Sequence, residues 1–98
     1  MDFVFEWDPN KASANLAKHK VSFEEGRTIF YDPLLITYPD ELHSDKEDRL
    51  ISIGTSIYER LLLVVHLEKF VIEESVTIRI ISCRKATPDE RKRYEKSE

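Results

Sequence analysis

Apolar side chains recur along this chain with two periods, and the periods divide it into strands and helices. Phe3, Phe5 and Trp7 alternate with Val4 and Glu6, which predicts a short strand with one aromatic face. Asp8-Pro9 then opens a helix, because aspartate caps unpaired backbone N–H groups and proline loses nothing at the first helical position. That helix runs to about His19, with Ala12, Leu16 and His19 on its buried side and Lys11, Asn15 and Lys18 forming a polar stripe. Ser22 and Glu25 make a capping-box pattern for a second helix reaching about Phe30, with Phe23, Gly26, Ile29 and Phe30 as its inner face. Glycine inside a helix costs about 1 kcal/mol relative to alanine, so Gly26 points to close helix packing. Asp32-Pro33 ends the unit.

The second half alternates with period two. Leu34–Tyr38 reads as a short strand stopped by Pro39, and Glu41 to Asp48 as a charged, mobile connection. Three further strands are expected over Arg49–Ile57, Arg60–Glu68 and Val76–Cys83, with Tyr58-Glu59 as a hairpin turn and Lys69–Ser75 as a longer loop containing a brief apolar run. Thr87-Pro88-Asp89-Glu90 starts a last helix whose one large apolar side chain is Tyr94. A short helix is marginal alone in water, so a sheet edge or a partner chain must hold it. Consecutive strands with short connections favour an α+β fold. The expectation is an antiparallel four- to five-stranded sheet, two N-terminal helices on one face and a C-terminal helix.

Alternation also predicts which side chains share a face. Ile51, Ile53, Leu61, Leu63, Val65, Leu67, Val76, Ile78 and Ile80 are assigned to the helix-covered face. Ser52, His66, Glu68, Thr77 and Arg79 then share the open one, with Cys83 on the side of Arg79, unless a bulge changes the register.

Ninety-eight residues form one domain spanning 1–98 with one modest core. The net charge of −4 argues against indiscriminate coating of nucleic acid. Residues 32–75 hold ten anions and four cations, whereas seven cations and four anions fall from Arg79 onward, so a local basic site is possible near the C-terminus. No apolar run approaches the about 20 residues of a membrane span, and the lone Cys83 fits a reducing cytoplasm. His19, His43 and His66 are scattered without metal-ligand spacing, and there is no glycine-rich phosphate loop, so neither metal nor cofactor is expected.

A histidine, a carboxylate and an arginine on one open sheet face can do acid–base and phosphate chemistry. His66 or Glu68 is the acid–base candidate, and Arg79 and Arg84 would hold a scissile phosphate, supported by Lys85 and Arg49. Tyr94 would stack on a base or share in proton transfer. Each also has a plainer reading: His66 as a hydrogen-bonded strand-end residue, Glu68–Arg79 as a cross-strand ion pair, Arg84-Lys85 as a solvated strand end.

The segments FEWDPNKASANLAKHKVSFEEG, HSDKEDRLISIG, RLLLVVH and TIRIISCRKATPDERKRYE, in this order over nearly the whole chain, resemble the BrnT family. The resemblance implies a RelE-like fold and a metal-independent endoribonuclease toxin of a type II toxin–antitoxin system that inhibits translation. It also implies a ribbon-helix-helix antitoxin of BrnA type as partner, RNA as substrate, and operator DNA bound only through the antitoxin complex. Two positions depart from the pattern: Lys20 stands where glycine is expected to end the first helix, and Cys83 replaces alanine. The alternative is a catalytically inactive binding module that serves as corepressor or assembly partner of the antitoxin.

Overall fold

The alternation beginning at Leu61 forms the longest strand and the centre of the molecule. The computed structural model describes residues 2–43, 48–72 and 74–97. Its strands are β1 (Asp2–Glu6), β2 (Ile36–Pro39), β3 (Leu50–Thr55), β4 (Leu61–Ile72) and β5 (Ser75–Lys85). They make a five-stranded sheet in the order β1-β5-β4-β3-β2. Helices α1 (Pro9–His19) and α2 (Phe23–Gly26), the latter continued by a 3-10 segment over Arg27–Tyr31, precede β2, and α3 (Pro88–Lys96) follows β5.

β2, β3, β4 and β5 pair antiparallel, but β1 runs parallel to β5, with Asp2 opposite Ser75 and Glu6 opposite Arg79. The sheet is therefore mixed, which corrects the antiparallel expectation. A hairpin forces its two strands to be antiparallel, and no hairpin joins β1 to its neighbour. Two more boundaries move. β3 and β4 end short of the expected two-residue turn and are joined by residues 56–60, where Glu59 takes a positive φ of 61°. β4 also continues through the apolar run that was expected to lie in a loop. Within the charged connection after β2, Glu41–His43 forms a 3-10 turn, and residues 44–47 lie outside the described residues.

Both faces of the central strand are buried, which period-two reasoning with one open face did not anticipate. Leu62 and Val64 join Val21, Phe23, Ile29, Phe30, Val76, Ile78 and Ile80 under α1 and α2. The aromatic face of β1 completes this core, with ring centroids 6.0 Å apart for Phe3–Phe30 and 5.6 Å for Phe5–Phe30. On the other face Leu61 and Leu63 pack with Ile53 and Tyr94 beneath α3.

A β-bulge decides which β5 side chains reach that second face. Pairing steps from Val65 opposite Ser82 to His66 opposite Ile80, leaving Ile81 as the extra residue. The parity of β5 therefore switches. Val76, Ile78, Ile80 and Cys83 lie on the α1–α2 side, and Thr77, Arg79, Ser82 and Arg84 on the α3 side. Cys83 is thus fully buried rather than opposite the apolar set.

Helix α1 shows a second reversal. Leu16 is exposed, and Asn15 is the buried residue of the helix. Its amide donates to the carbonyls of Val21 (3.0 Å) and Cys83 (2.8 Å) and accepts from Cys83 N–H (3.1 Å). β1 pairs with β5 only from Ser75 to Arg79, so Asn15 stands in for a neighbouring strand beyond that point. At the close of α1, Lys20 adopts the left-handed conformation (φ 60°, ψ 29°) and donates its N–H to Leu16 O. A non-glycine residue there costs about 1–2 kcal/mol, part of which glycine returns through its freer unfolded chain. Lys20→Gly is accordingly expected to stabilise the fold by about 0.5–1 kcal/mol in urea denaturation. An unchanged or lower midpoint would refute this account of the turn.

Gly26 packs against the sheet rather than another helix: a Cβ there would sit 2.8 Å from Cys83 Sγ. The turn after β3 is tied to α2 through buried Glu25. Its carboxylate accepts from Ser56 Oγ (2.7 Å) and Arg60 Nε (2.9 Å), with a further contact to Arg60 Nη2. The Arg60 hydrogen bond is the main reason the Glu25 carboxyl titrates below its usual range.

Candidate active site

Helix α3 covers one end of its sheet face and leaves the rest exposed, so the way α3 is anchored sets the shape of the open surface. The Thr87–Glu90 capping box fixes its start. Tyr94 donates from Oη to Asp32 Oδ2 (2.6 Å), and the same oxygen accepts Thr55 N–H (2.8 Å). Burial alone would raise the Asp32 carboxyl, but these donors together with Leu34 N–H bring it below its ordinary value. Arg93 lies 3.6 Å above the centre of the Tyr38 ring, a cation–π contact from α3 to β2. Arg84 of β5 makes a forked pair with Glu90 (2.8 and 2.9 Å), which holds the Glu90 carboxyl below and the Arg84 guanidinium above their usual ranges.

Beside this anchor runs a groove of about 350 Å³, floored by Ile51, Leu63 and Val65. Asp40, His43, Arg49, Ser82 and Arg84 stand around it. A shallower depression carrying Tyr38 and Arg93 adjoins it through Asp40, Leu42 and Ile51. The 3-10 turn after β2 shapes the rim. Asp40 N–H donates to Arg49 O (2.9 Å), closing the neck between β2 and β3, and His43 N–H donates to Asp40 O (3.2 Å). His43 Nδ1 lies 3.3 Å from Asp40 Oδ1, with the carboxylate 9% exposed and the imidazole 66% exposed.

The sequence-predicted residues do not all meet here. Arg49 and Arg84 do. Arg79 shares the face but lies further along β5, opposite Leu67, paired with Glu6 (2.9 Å), which also contacts Lys69 (3.1 Å). Arg79 therefore pairs with β1 and not with Glu68, and Lys69 is the leading cause of the lowered Glu6 carboxyl.

His66 is on the opposite side, fully buried, its ring against Phe30 at 4.9 Å and its Nε2 hydrogen-bonded to Ser52 Oγ at 2.7 Å. Ser52 in turn bonds Thr37 Oγ1 at 2.7 Å. The assignment of Ser52 and His66 to the open face is thereby corrected. Both faces of β4 are buried, and the even positions that carry Ser52 and His66 lie with Val64 in the core under α2, out of reach of a substrate, while the bulge in β5 puts Arg79 on the other face. Glu68 is exposed but has the same parity as His66, so it faces away from Arg79. Lys85, opposite Leu62, projects to the other side of the sheet from Arg84, as consecutive strand residues must, and its charge acts on Glu25. Tyr94 is buried and bonded to Asp32, so it anchors α3 and is not available to stack on a base.

Sequence reasoning missed Tyr38, Asp40, His43, Ser82 and Arg93. One signal was in the chain: Asp40 and His43, three residues apart, sit just ahead of Arg49 in the connection that closes onto β3. Among the described residues no group of three or more His, Cys, Asp or Glu side chains could hold a metal ion. Nor, among those residues, is any helix long and apolar enough to cross a membrane.

The family described as "Ribonuclease toxin, BrnT, of type II toxin-antitoxin system" matches residues 7–90, a span containing α1, α2, the strands β2 to β5 and the groove. The chain belongs to the BrnT family. Among solved structures, the ribonuclease toxin BrnT of Brucella abortus is similar, at 26% identity and a TM-score of 0.58. The match covers 89% of this chain and 99% of that one. None of the curated proteins compared with the chain matches it. As a BrnT-family toxin it shares an α+β architecture with its Brucella relative, and its system implies an antitoxin partner.

Proposed function

We propose that this protein is a metal-independent endoribonuclease that cuts RNA and so inhibits translation. On this reading it is a single cytoplasmic toxin domain, RelE-like in fold, neutralised by a BrnA-type ribbon-helix-helix antitoxin through which alone it reaches operator DNA. The observation that carries the reading is the groove beside α3, where Arg49 and Arg84 flank an apolar floor on an otherwise acidic protein. Phosphates bind arginine forks, and bases settle on apolar and aromatic surface such as Tyr38. The 2′-hydroxyl of RNA supplies the nucleophile, and preorganised cations stabilise the charge developing on the phosphate. Arg49 and Arg84 take that role, and Arg79, on the same face, engages the flanking backbone.

Purified protein is expected to cleave a mixed-sequence transcript in EDTA and, when expressed, to halt growth. Arg49→Ala is expected to lower the cleavage rate by about 10²–10³-fold. Wild-type protein that leaves RNA intact and growth unchanged rejects the ribonuclease reading. The forked Arg84–Glu90 and the Arg79–Glu6 pairs, which offset two of the cations on this face, favour a second reading as a non-catalytic corepressor. RNA binding without cleavage would select it.

A further inference from the structure

We infer that His43 is the catalytic base of this groove and that Asp40 is its positioning residue, an assignment that rests on the ribonuclease reading. Among the described residues His43 is the one imidazole at the groove: His66 is buried on the far side of the sheet, and His19 closes α1. It combines exposure to substrate with a fixed origin. Asp40 is itself clamped to β3 through Arg49 O, accepts the His43 backbone N–H, and places its carboxylate at His43 Nδ1. A carboxylate at Nδ1 favours the tautomer protonated there and leaves the Nε2 lone pair as the base. The 3.3 Å separation is longer than an ideal hydrogen bond, as is common at catalytic pairs before substrate tightens them. Arg49 and Arg84 line the same groove, so a phosphate held by them lies within the reach of this ring.

In the reaction, the 2′-oxygen bonds to phosphorus as Nε2 of His43 takes its proton. The bond from phosphorus to the 5′-oxygen breaks with its electron pair, and that oxygen takes a proton from water. The imidazolium then returns its proton to the hydroxide so formed. The products are a 2′,3′-cyclic phosphate and a 5′-hydroxyl end, with no net proton change.

A carboxylate in a groove for a polyanion opposes binding, so Asp40 can be separated from a purely electrostatic role. The full chain is assayed in EDTA on a mixed-sequence transcript, with wild type, His43→Ala and Asp40→Asn compared, and with folding checked by circular dichroism. His43→Ala is expected to lose about 10²–10⁴-fold in kcat with RNA binding retained, and added imidazole to restore at least part of it. Asp40→Asn is expected to lower kcat while binding RNA as tightly or more so. Cleavage by His43→Ala equal to wild type, or a loss that imidazole does not rescue, overturns the assignment while the ribonuclease reading stands. A faster Asp40→Asn enzyme overturns the positioning role. Wild-type protein without activity overturns the ribonuclease reading and this inference with it.

Discussion

Replacing Asn15 with leucine is expected to destabilise the protein by about 3 kcal/mol, although the substitution adds apolar surface to a helix. The Asn15 amide supplies three hydrogen bonds in a buried site, two to the Cys83 backbone and one to the Val21 carbonyl. Leucine leaves those groups unpaired, and each buried unsatisfied polar group costs about 1–3 kcal/mol. Gains from the added apolar area are limited because the site is shaped for an amide against strand backbone. For a chain of this size the loss corresponds to a melting temperature lower by roughly 12–24 °C. Urea denaturation decides the matter, and a loss below 1 kcal/mol with an unchanged m-value would mean that Asn15 does not complete the edge of β5.

The second large effect is acid lability set by His66. Burial pushes its imidazole down to about 4, with the Leu67 backbone acting the other way. Its Nδ1 has no hydrogen-bond partner among the described residues, so a proton added there would be held in a desolvated site. In the unfolded chain the same ring titrates near 6.5. Above that value both states are neutral and stability does not depend on this group. As pH falls from 6.5 towards 4 the unfolded state takes up a proton that the folded state refuses, at about 1.4 kcal/mol per unit. Stability should therefore fall by about 2 kcal/mol between pH 6.5 and pH 5 and by about 3 kcal/mol by pH 4. The lowered carboxyls of Glu6, Glu25, Asp32 and Glu90 add their losses only below their ordinary values, so the upper window belongs to His66. His66→Gln should abolish that slope. The same slope in the variant would assign it to another group.

What the sequence made legible was local. Asp8, Ser22 and Thr87 cap their helices as their spacing requires, because a cap is decided within four residues of chain. The aromatic alternation of β1 and the apolar period of β4 likewise read directly. What stayed hidden depends on partners far along the chain. Ile81 looks like any other strand residue until its register against β4 is known, yet it puts Arg79 and Arg84 on one face, which alternation would have separated. Asn15 sat in a stripe with Lys11 and Lys18, and nothing local distinguishes a buried amide from a solvated one. His66 follows an apolar run buried on both sides, so the sheet closes over it; His43, in a charged connection without an apolar anchor, stays at the surface. The candidate site was thus half visible: Arg49 and Arg84 could be named, but the imidazole beside them left only the short Asp40–His43 spacing as a sign.

The parallel seat of β1 against β5 has a consequence for how the molecule comes into being. Residues 2–6 are made well before their partner, residues 75–79, from which α1, α2 and the strands β2 to β4 separate them. During translation the aromatic strand must wait, its rings meeting Phe30 and Tyr31 but its backbone edge unmatched, and such long sequence separations slow the final closure. The bulge, Arg84 and the α3 anchor come later still. The groove therefore cannot form on a nascent chain until β5 and α3 have both been made.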